Sequence, residues 1–275
     1  TLMLNTSTGA YTYAPNDAAI NALTSSASET FTLSVSDGSG STASQTLSVN
    51  LTAANDTPEL VASLTSTTYV DTGASDTFSA VIGSLNGTDR DSGAVLSYAI
   101  QGGLVENNTV NSVAYDQKLV GTYGTLYLNS TTRAYAYVPN DTAINALSAN
   151  ASENFTLTVT DGSNATASRV LAIGVTAAND TPVLTATVPS VSFTDNTGDD
   201  NFVPMSGNLS GSDRDTGSSL SYALQGSQAD TSRTGYDVSK SGRFGTLYLN
   251  SSTGAVTGSP TSTGEHTFRI TATNT

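Results

Sequence analysis

Phe155-Thr156-Leu157-Thr158-Val159-Thr160-Asp161-Gly162 sets an apolar side chain at every second position and then stops on a turn dipeptide. Alternation of this kind puts Phe155, Leu157 and Val159 on one face of an extended strand and the threonines on the other. Threonine suits the solvated face, since its β-branched side chain fits a pleated surface without adding charge. Asp-Gly is a common hairpin turn, and metal-free Asx bonding is the simpler reading of Asp161 and of Asp37. The stretch has an earlier counterpart, Phe31-Thr32-Leu33-Ser34-Val35-Ser36-Asp37-Gly38. Leu171, Ile173 and Val175 continue the period-two pattern downstream, as Leu47, Val49 and Leu51 do after the earlier copy. The only helical candidates are short turns, Asp17 to Leu23 and Asp141 to Leu147. Many short strands separated by regular turn signals predict an all-β chain built from antiparallel sandwiches.

The repetition extends beyond this stretch. Thr1-Leu2-Met3-Leu4-Asn5 returns as Thr125-Leu126-Tyr127-Leu128-Asn129 and as Thr246-Leu247-Tyr248-Leu249-Asn250. Asn55-Asp56-Thr57-Pro58 and Asp89-Arg90-Asp91-Ser92-Gly93 return as Asn179-Asp180-Thr181-Pro182 and Asp213-Arg214-Asp215-Thr216-Gly217. Both recur after 124 positions (179 − 55 and 213 − 89). Such a period is that of a domain with its own core, not of a solenoid turn. The chain divides into the C-terminal part of one repeat (1–56), a complete repeat (57–180) and a truncated, divergent repeat (181–275), set end to end. In the third repeat the stretch from Asn250 to Phe268 is eight residues shorter than that from Asn129 to Phe155 (18 against 26). There Asn274 stands where the complete repeat has Asp161.

Composition removes several function classes. Asp and Glu number 23 against 9 Lys and Arg, for a net charge of −14. That balance opposes nucleic acid, whose binding needs Lys and Arg to displace counterions, and it opposes anionic membrane surfaces. Eighteen of the acids are Asp, which favours turns and hard-cation sites. Cysteine is absent, so disulfides, thiolate catalysis and Cys-rich zinc sites are absent with it. No run of eighteen apolar residues occurs, which argues against membrane insertion. Thr1 opens directly on a strand-like run, so the sequence reads as an excerpt of something longer. An enzyme would have to rest on the single histidine, His266, which the other repeats lack.

The acidic sets carry the functional signal. Asp89 and Asp91 stand two apart, and in an extended stretch they project to one side with Arg90 on the other. Carboxylates so placed repel each other unless a proton or a cation lies between them. Calcium takes six to eight oxygens from carboxylates, amides and backbone carbonyls. A first calcium site is expected from Asp17, Asn55, Asp56, Asp89 and Asp91, and a second from Asp141, Asn179, Asp180, Asp213 and Asp215. Each draws on two neighbouring repeats, so a bound ion would fix one against the other. The loop 195–201 and its counterpart 71–76 read as solvated.

Tyr69-Val70-Asp71-Thr72-Gly73, Thr88-Asp89-Arg90-Asp91-Ser92-Gly93, Gly124-Thr125-Leu126-Tyr127-Leu128, the Phe155–Gly162 stretch and Ala178-Asn179-Asp180-Thr181-Pro182 together resemble the VCBS repeat. This is the cadherin-like, Ig-like module found in tandem in large secreted bacterial adhesins of the RTX type. The C-terminal Thr253-Gly254-Ala255-Val256-Thr257-Gly258-Ser259-Pro260 is similar to a related Ig family. The resemblance implies calcium-stiffened extension, display at the bacterial cell surface, and a part in adhesion or biofilm formation. The partners it implies are neighbouring repeats, other copies of the chain, and a surface or glycan target. A self-assembling surface layer or extracellular filament is the alternative setting.

Overall fold

A computed structural model describes residues 1–61, 66–185, 191–260 and 269–274, so His266 and Phe268 lie outside the described residues. The described chain is almost entirely β. Its helices there are two five-residue turns, Asp17–Asn21 and Asp141–Asn145, each N-capped by the preceding asparagine, whose Oδ1 accepts from the third residue along. Two compact units result. One comprises Thr1–Thr67, Ser79–Pro139 and Glu153–Ile173; the other comprises Thr68–Phe78, Asn140–Ser152 and Gly174–Thr275. The division runs through the middle sequence repeat, and each unit gathers one complete Asn-Asp and Asp-Arg-Asp set.

In the first unit a five-stranded antiparallel sheet runs in the order Leu104–Val110, Val113–Val120, Gly124–Leu128, Ala134–Pro139, Val81–Ser84. A second sheet places Ala151–Thr160 between Ser97–Ile100 and Thr166–Thr176. The expected alternation is realised: Phe155, Leu157, Val159, Leu171 and Ile173 are buried, as are Leu126, Leu128, Tyr135 and Tyr137 from the first sheet. The two layers meet through Tyr137 and Phe155, whose ring centroids lie 5.6 Å apart. That is a sandwich core. The hairpin of Ala27–Ser36 and Thr42–Leu51 has no buried residue in either strand. Val35, the counterpart of fully buried Val159, is 68 % exposed.

The second unit repeats the plan with a shorter chain. Its five-stranded sheet has the order Met205–Asn208, Ala255–Pro260, Gly245–Leu249, Val238–Gly242, Gln228–Ala229. Leu220–Leu224 pairs with Ile270–Asn274. Leu209, Tyr222, Leu224, Leu247, Leu249 and Val256 form the core.

One device sits directly ahead of each Asp-Arg-Asp segment. The Gly87 N–H donates to the Tyr98 hydroxyl at 3.0 Å, and Gly211 does the same to Tyr222 at 3.0 Å. A Cβ on Gly87 would meet Tyr98 Oη at 2.8 Å, Val159 Cγ2 at 2.9 Å and Leu96 Cδ1 at 3.1 Å. Backbone therefore lies against core side chains just where the acidic turn begins. Gly87→Ala is expected to cost about 1–3 kcal/mol by overpacking. Gly162→Ala, whose Cβ would meet nothing within 4 Å, should stay within about 0.5 kcal/mol of wild type. Urea denaturation of the two variants checks the contrast.

Candidate functional site

The sequence places the two acids of each Asp-Arg-Asp by a turn rather than by a strand. The segment is not extended as expected: residue 89 follows the two-residue strand Gly87–Thr88, and the chain bends at Arg90 and Asp91. The Asp91 N–H donates to Asp89 Oδ1 at 2.8 Å, which closes an Asx turn. Asp91 Oδ2 then accepts the Asp56 N–H at 2.8 Å. Asn55 Nδ2 donates to the Asp56 carbonyl at 2.9 Å and to Asp161 Oδ2 at 2.7 Å. The Ser92 N–H donates to the Ala22 carbonyl at 3.1 Å, so the loop also grips the end of the first helical turn.

The same circuit recurs in the second unit. Asp215 N–H donates to Asp213 Oδ1 at 2.9 Å, Asp180 N–H to Asp215 Oδ2 at 2.7 Å, and Thr216 N–H to the Ala146 carbonyl at 3.0 Å. Asn179 Nδ2 again donates to its neighbour's carbonyl, that of Asp180, at 3.2 Å. The repeat spacing in sequence is thus a repeat of hydrogen-bonded geometry.

These bonds leave several carboxylate oxygens of the two sets without a hydrogen bond. Among the described residues, the buried side-chain oxygens and nitrogens lacking any hydrogen bond are all aspartate oxygens: Asp71 Oδ1, Asp89 Oδ2, Asp91 Oδ1, both oxygens of Asp180, and Asp215 Oδ1. Asp180 is 0 % exposed, Asp71 4 %, Asp215 7 % and Asp91 8 %. Positive charge nearby is scarce. Arg90 lies 4.0 Å from Asp56 Oδ1 and Arg214 lies 3.7 Å from Asp180 Oδ1, both beyond hydrogen-bond reach. Each set thus pairs one arginine with one of its four acids, which are Asp56, Asp89, Asp91 and Asp161 in the first and Asp71, Asp180, Asp213 and Asp215 in the second. Burial pushes the Asp180 carboxyl up, helped by the charges of Asp71, Asp215 and Asp213 and opposed by Arg214. Burial likewise raises Asp71. Asp161 moves the other way, held down chiefly by the bond from Asn55.

Asp17 and Asp141 occupy the first turns of their short helices. The helices touch the acidic loops through Ala22 and Ala146 at their far ends, a helical rise of roughly 7.5 Å away. Asp141 Oδ1 accepts the Phe78 N–H at 3.1 Å. Two residues gain weight. Asp71, read as part of a solvated loop, is buried in the second set, where its Oδ2 faces the Ala178 N–H at 3.4 Å. Asp161 serves its hairpin, accepting from Ser163 and Ala165 at 2.8 Å each, and also holds Asn55. Its loop and Asn55, with Thr24, Asp91 and Gly93, line an open hollow of about 310 Å³. The loop 195–201 is exposed, as expected.

Among the described residues, no three His, Cys, Asp or Glu side chains by themselves form a group that could hold a metal ion. Calcium does not require that, because neutral amide and backbone carbonyl oxygens fill much of its shell. The oxygens present here are of that mixed kind: unpartnered carboxylates beside Asn side chains and the Asp56 and Asp180 carbonyls. Orphaned buried carboxylate oxygens under a local excess of negative charge fit a hard divalent cation. No helix of the described residues is long and apolar enough to cross a membrane.

No family model and no curated protein matches the chain. Solved structures do superpose, loosely. Protocadherin gamma-B3 domains EC1-4 match over 100 % of this chain and 59 % of theirs, with 15 % identity and a TM-score of 0.40. Mouse cadherin-23 EC22-24 matches over 88 % and 68 %, with 17 % identity and a TM-score of 0.35. Mouse protocadherin-24 EC1-3 matches over 98 % and 79 %, with 14 % identity and a TM-score of 0.33. The chain thus spans about three-fifths of the first of these, and superpositions this loose fix neither family nor function.

Proposed function

We propose that the chain is a structural segment of a secreted bacterial surface adhesin, in which calcium at each repeat joint stiffens the array. The observation that carries this reading is the set of buried, unpartnered aspartate oxygens, disposed in two hydrogen-bonded circuits 124 residues apart. Leaving such charges buried and uncompensated costs several kcal/mol each, whereas a divalent cation would offset them. The core donors at the first joint are Asp89, Asp91, Asp56 and Asn55, with Asp161 beside them. At the second they are Asp180, Asp213, Asp215 and Asn179, with Asp71. Asp17 and Asp141 add negative potential from the adjoining helical turns. The resemblance to VCBS repeats of RTX-type adhesins supports the same reading through the quoted motifs alone. The chain's own contribution on this view is length and stiffness, and the surface target is contacted elsewhere.

Extracellular calcium modules bind at about 0.1–1 mM, so saturation is expected outside a cell and not in cytosol. Small-angle scattering in several millimolar calcium should show a longer, stiffer particle than in chelator. Identical scattering profiles in the two buffers would defeat the proposal.

A pH series separates metal-free from metal-bound protein. Asp71 and Asp180 have folded values above the ordinary 3.8 of aspartate. Their contribution to stability is therefore fully present below about 3.8 and is lost as pH rises through the raised folded values. In chelator, Tm is expected to fall as the pH rises above the ordinary aspartate value. Asp76 and Asp161, whose values are lowered, lose their contribution only below the ordinary value and do not mask the trend. Calcium holds the carboxylates ionised and should invert the slope. Thermal scans across that range with and without calcium test it.

A further inference from the structure

At the second joint an amide stands where the first has a carboxylate. Asn274 pairs across the sheet with Leu220, and Asp161 directly follows Thr160, which pairs with Ser97. The two positions therefore coincide in the repeated fold (220 − 96 = 124). Each side chain accepts from the joint asparagine, Asn274 Oδ1 from Asn179 Nδ2 at 3.3 Å and Asp161 Oδ2 from Asn55 Nδ2 at 2.7 Å, and they differ in the other atom. Asn274 Nδ2 lies 3.0 Å from Asp213 Oδ2, 2.9 Å from the Asp180 carbonyl and 3.1 Å from Asn179 Oδ1. A carboxylate and a backbone carbonyl only accept, so the atom facing them is the NH₂. The corresponding oxygens of the first joint are Asp89 Oδ2, the Asp56 carbonyl and Asn55 Oδ1. There Asp89 Oδ2 is buried without a partner, while Asp161 Oδ2 takes the bond from Asn55.

Three oxygens gathered around one positively polarised group is what a cation would find, and Asn274 supplies that group from the chain itself. On the calcium reading above, we infer that the Asn274 amide replaces one divalent ion, so that the second joint takes one ion fewer than the first. The buried oxygens that still lack a hydrogen bond there, Asp71 Oδ1, Asp180 Oδ1 and Oδ2 and Asp215 Oδ1, remain for the ion that the joint keeps. The joints would then differ in how far calcium controls them: the first depends on its ions throughout, whereas part of the second is held at any calcium concentration.

Native mass spectrometry in a calcium series would count ions on the whole chain for wild type, Asn274→Asp and Asp161→Asn. Asn274→Asp should bind one ion more than wild type and Asp161→Asn one fewer. In chelator, Asn274→Asp should melt lower than wild type, because a carboxylate then faces Asp213 and the Asp180 carbonyl, and calcium should restore it. Asn274→Ala should melt lower in both buffers and gain no ion. Calcium binding by wild type with no gain in Asn274→Asp and no loss in Asp161→Asn overturns the inference alone. Absence of binding in all four proteins overturns the calcium reading and this inference with it.

Discussion

Like charges buried without partners are the constraint on which the rest depends. A carboxylate withdrawn from water keeps its charge only if protons, hydrogen bonds or cations replace the lost solvation. In this chain backbone N–H groups satisfy one oxygen of Asp91 and one of Asp215, and the fold then buries the other. Asp180 is the extreme case, with neither carboxylate oxygen hydrogen-bonded and no exposed surface. A sandwich whose strand faces are covered with Thr and Ser has no need of such groups for folding. Asp91 Oδ1 and Asp215 Oδ1 stand at equivalent points, and among the described residues no such oxygen lies outside the two acidic sets.

The surrounding architecture holds these groups in place. The glycine ahead of each acidic turn lets backbone approach the core tyrosine, the Asx turn sets the two aspartates, and the next Asn-Asp segment docks onto the second of them. Hydrogen bonds from the loop to the helical turn, Ser92 to Ala22 and Thr216 to Ala146, add a second attachment. Each compact unit therefore contains one joint, while most of its buried core lies within one sequence repeat. Cations would act on an arrangement already fixed by backbone bonds.

Much of this was legible in the sequence, for identifiable reasons. Period-two alternation announced the strands around Leu157 and Leu171, because one face of each had to be buried. The 124-residue spacing announced that both acidic sets would have one geometry. Other features depend on tertiary packing that local patterns do not carry. Asp71 and Asp195 occupy equivalent turns, in which Thr72 and Asn196 donate to Asp76 and Asp200, yet only Asp71 is buried. Its burial accompanies the chain at Thr176 and Ala178, far away in sequence. The partnership of Asn55 with Asp161 spans 106 residues and left no trace in spacing. Asp89 and Asp91 are linked by a bend and not along a strand, because an Asx bond is as consistent with Asp-x-Asp as an extended backbone is.

The most direct measurement is an anomalous-scattering map from crystals grown with a lanthanide in place of calcium. The account predicts peaks at both joints, beside Asp89 Oδ2 and Asp91 Oδ1 in the first and among Asp71, Asp180 and Asp215 in the second. A map in which those carboxylates are met only by water or by a neighbouring lysine or arginine, with no peak at either joint, would contradict it.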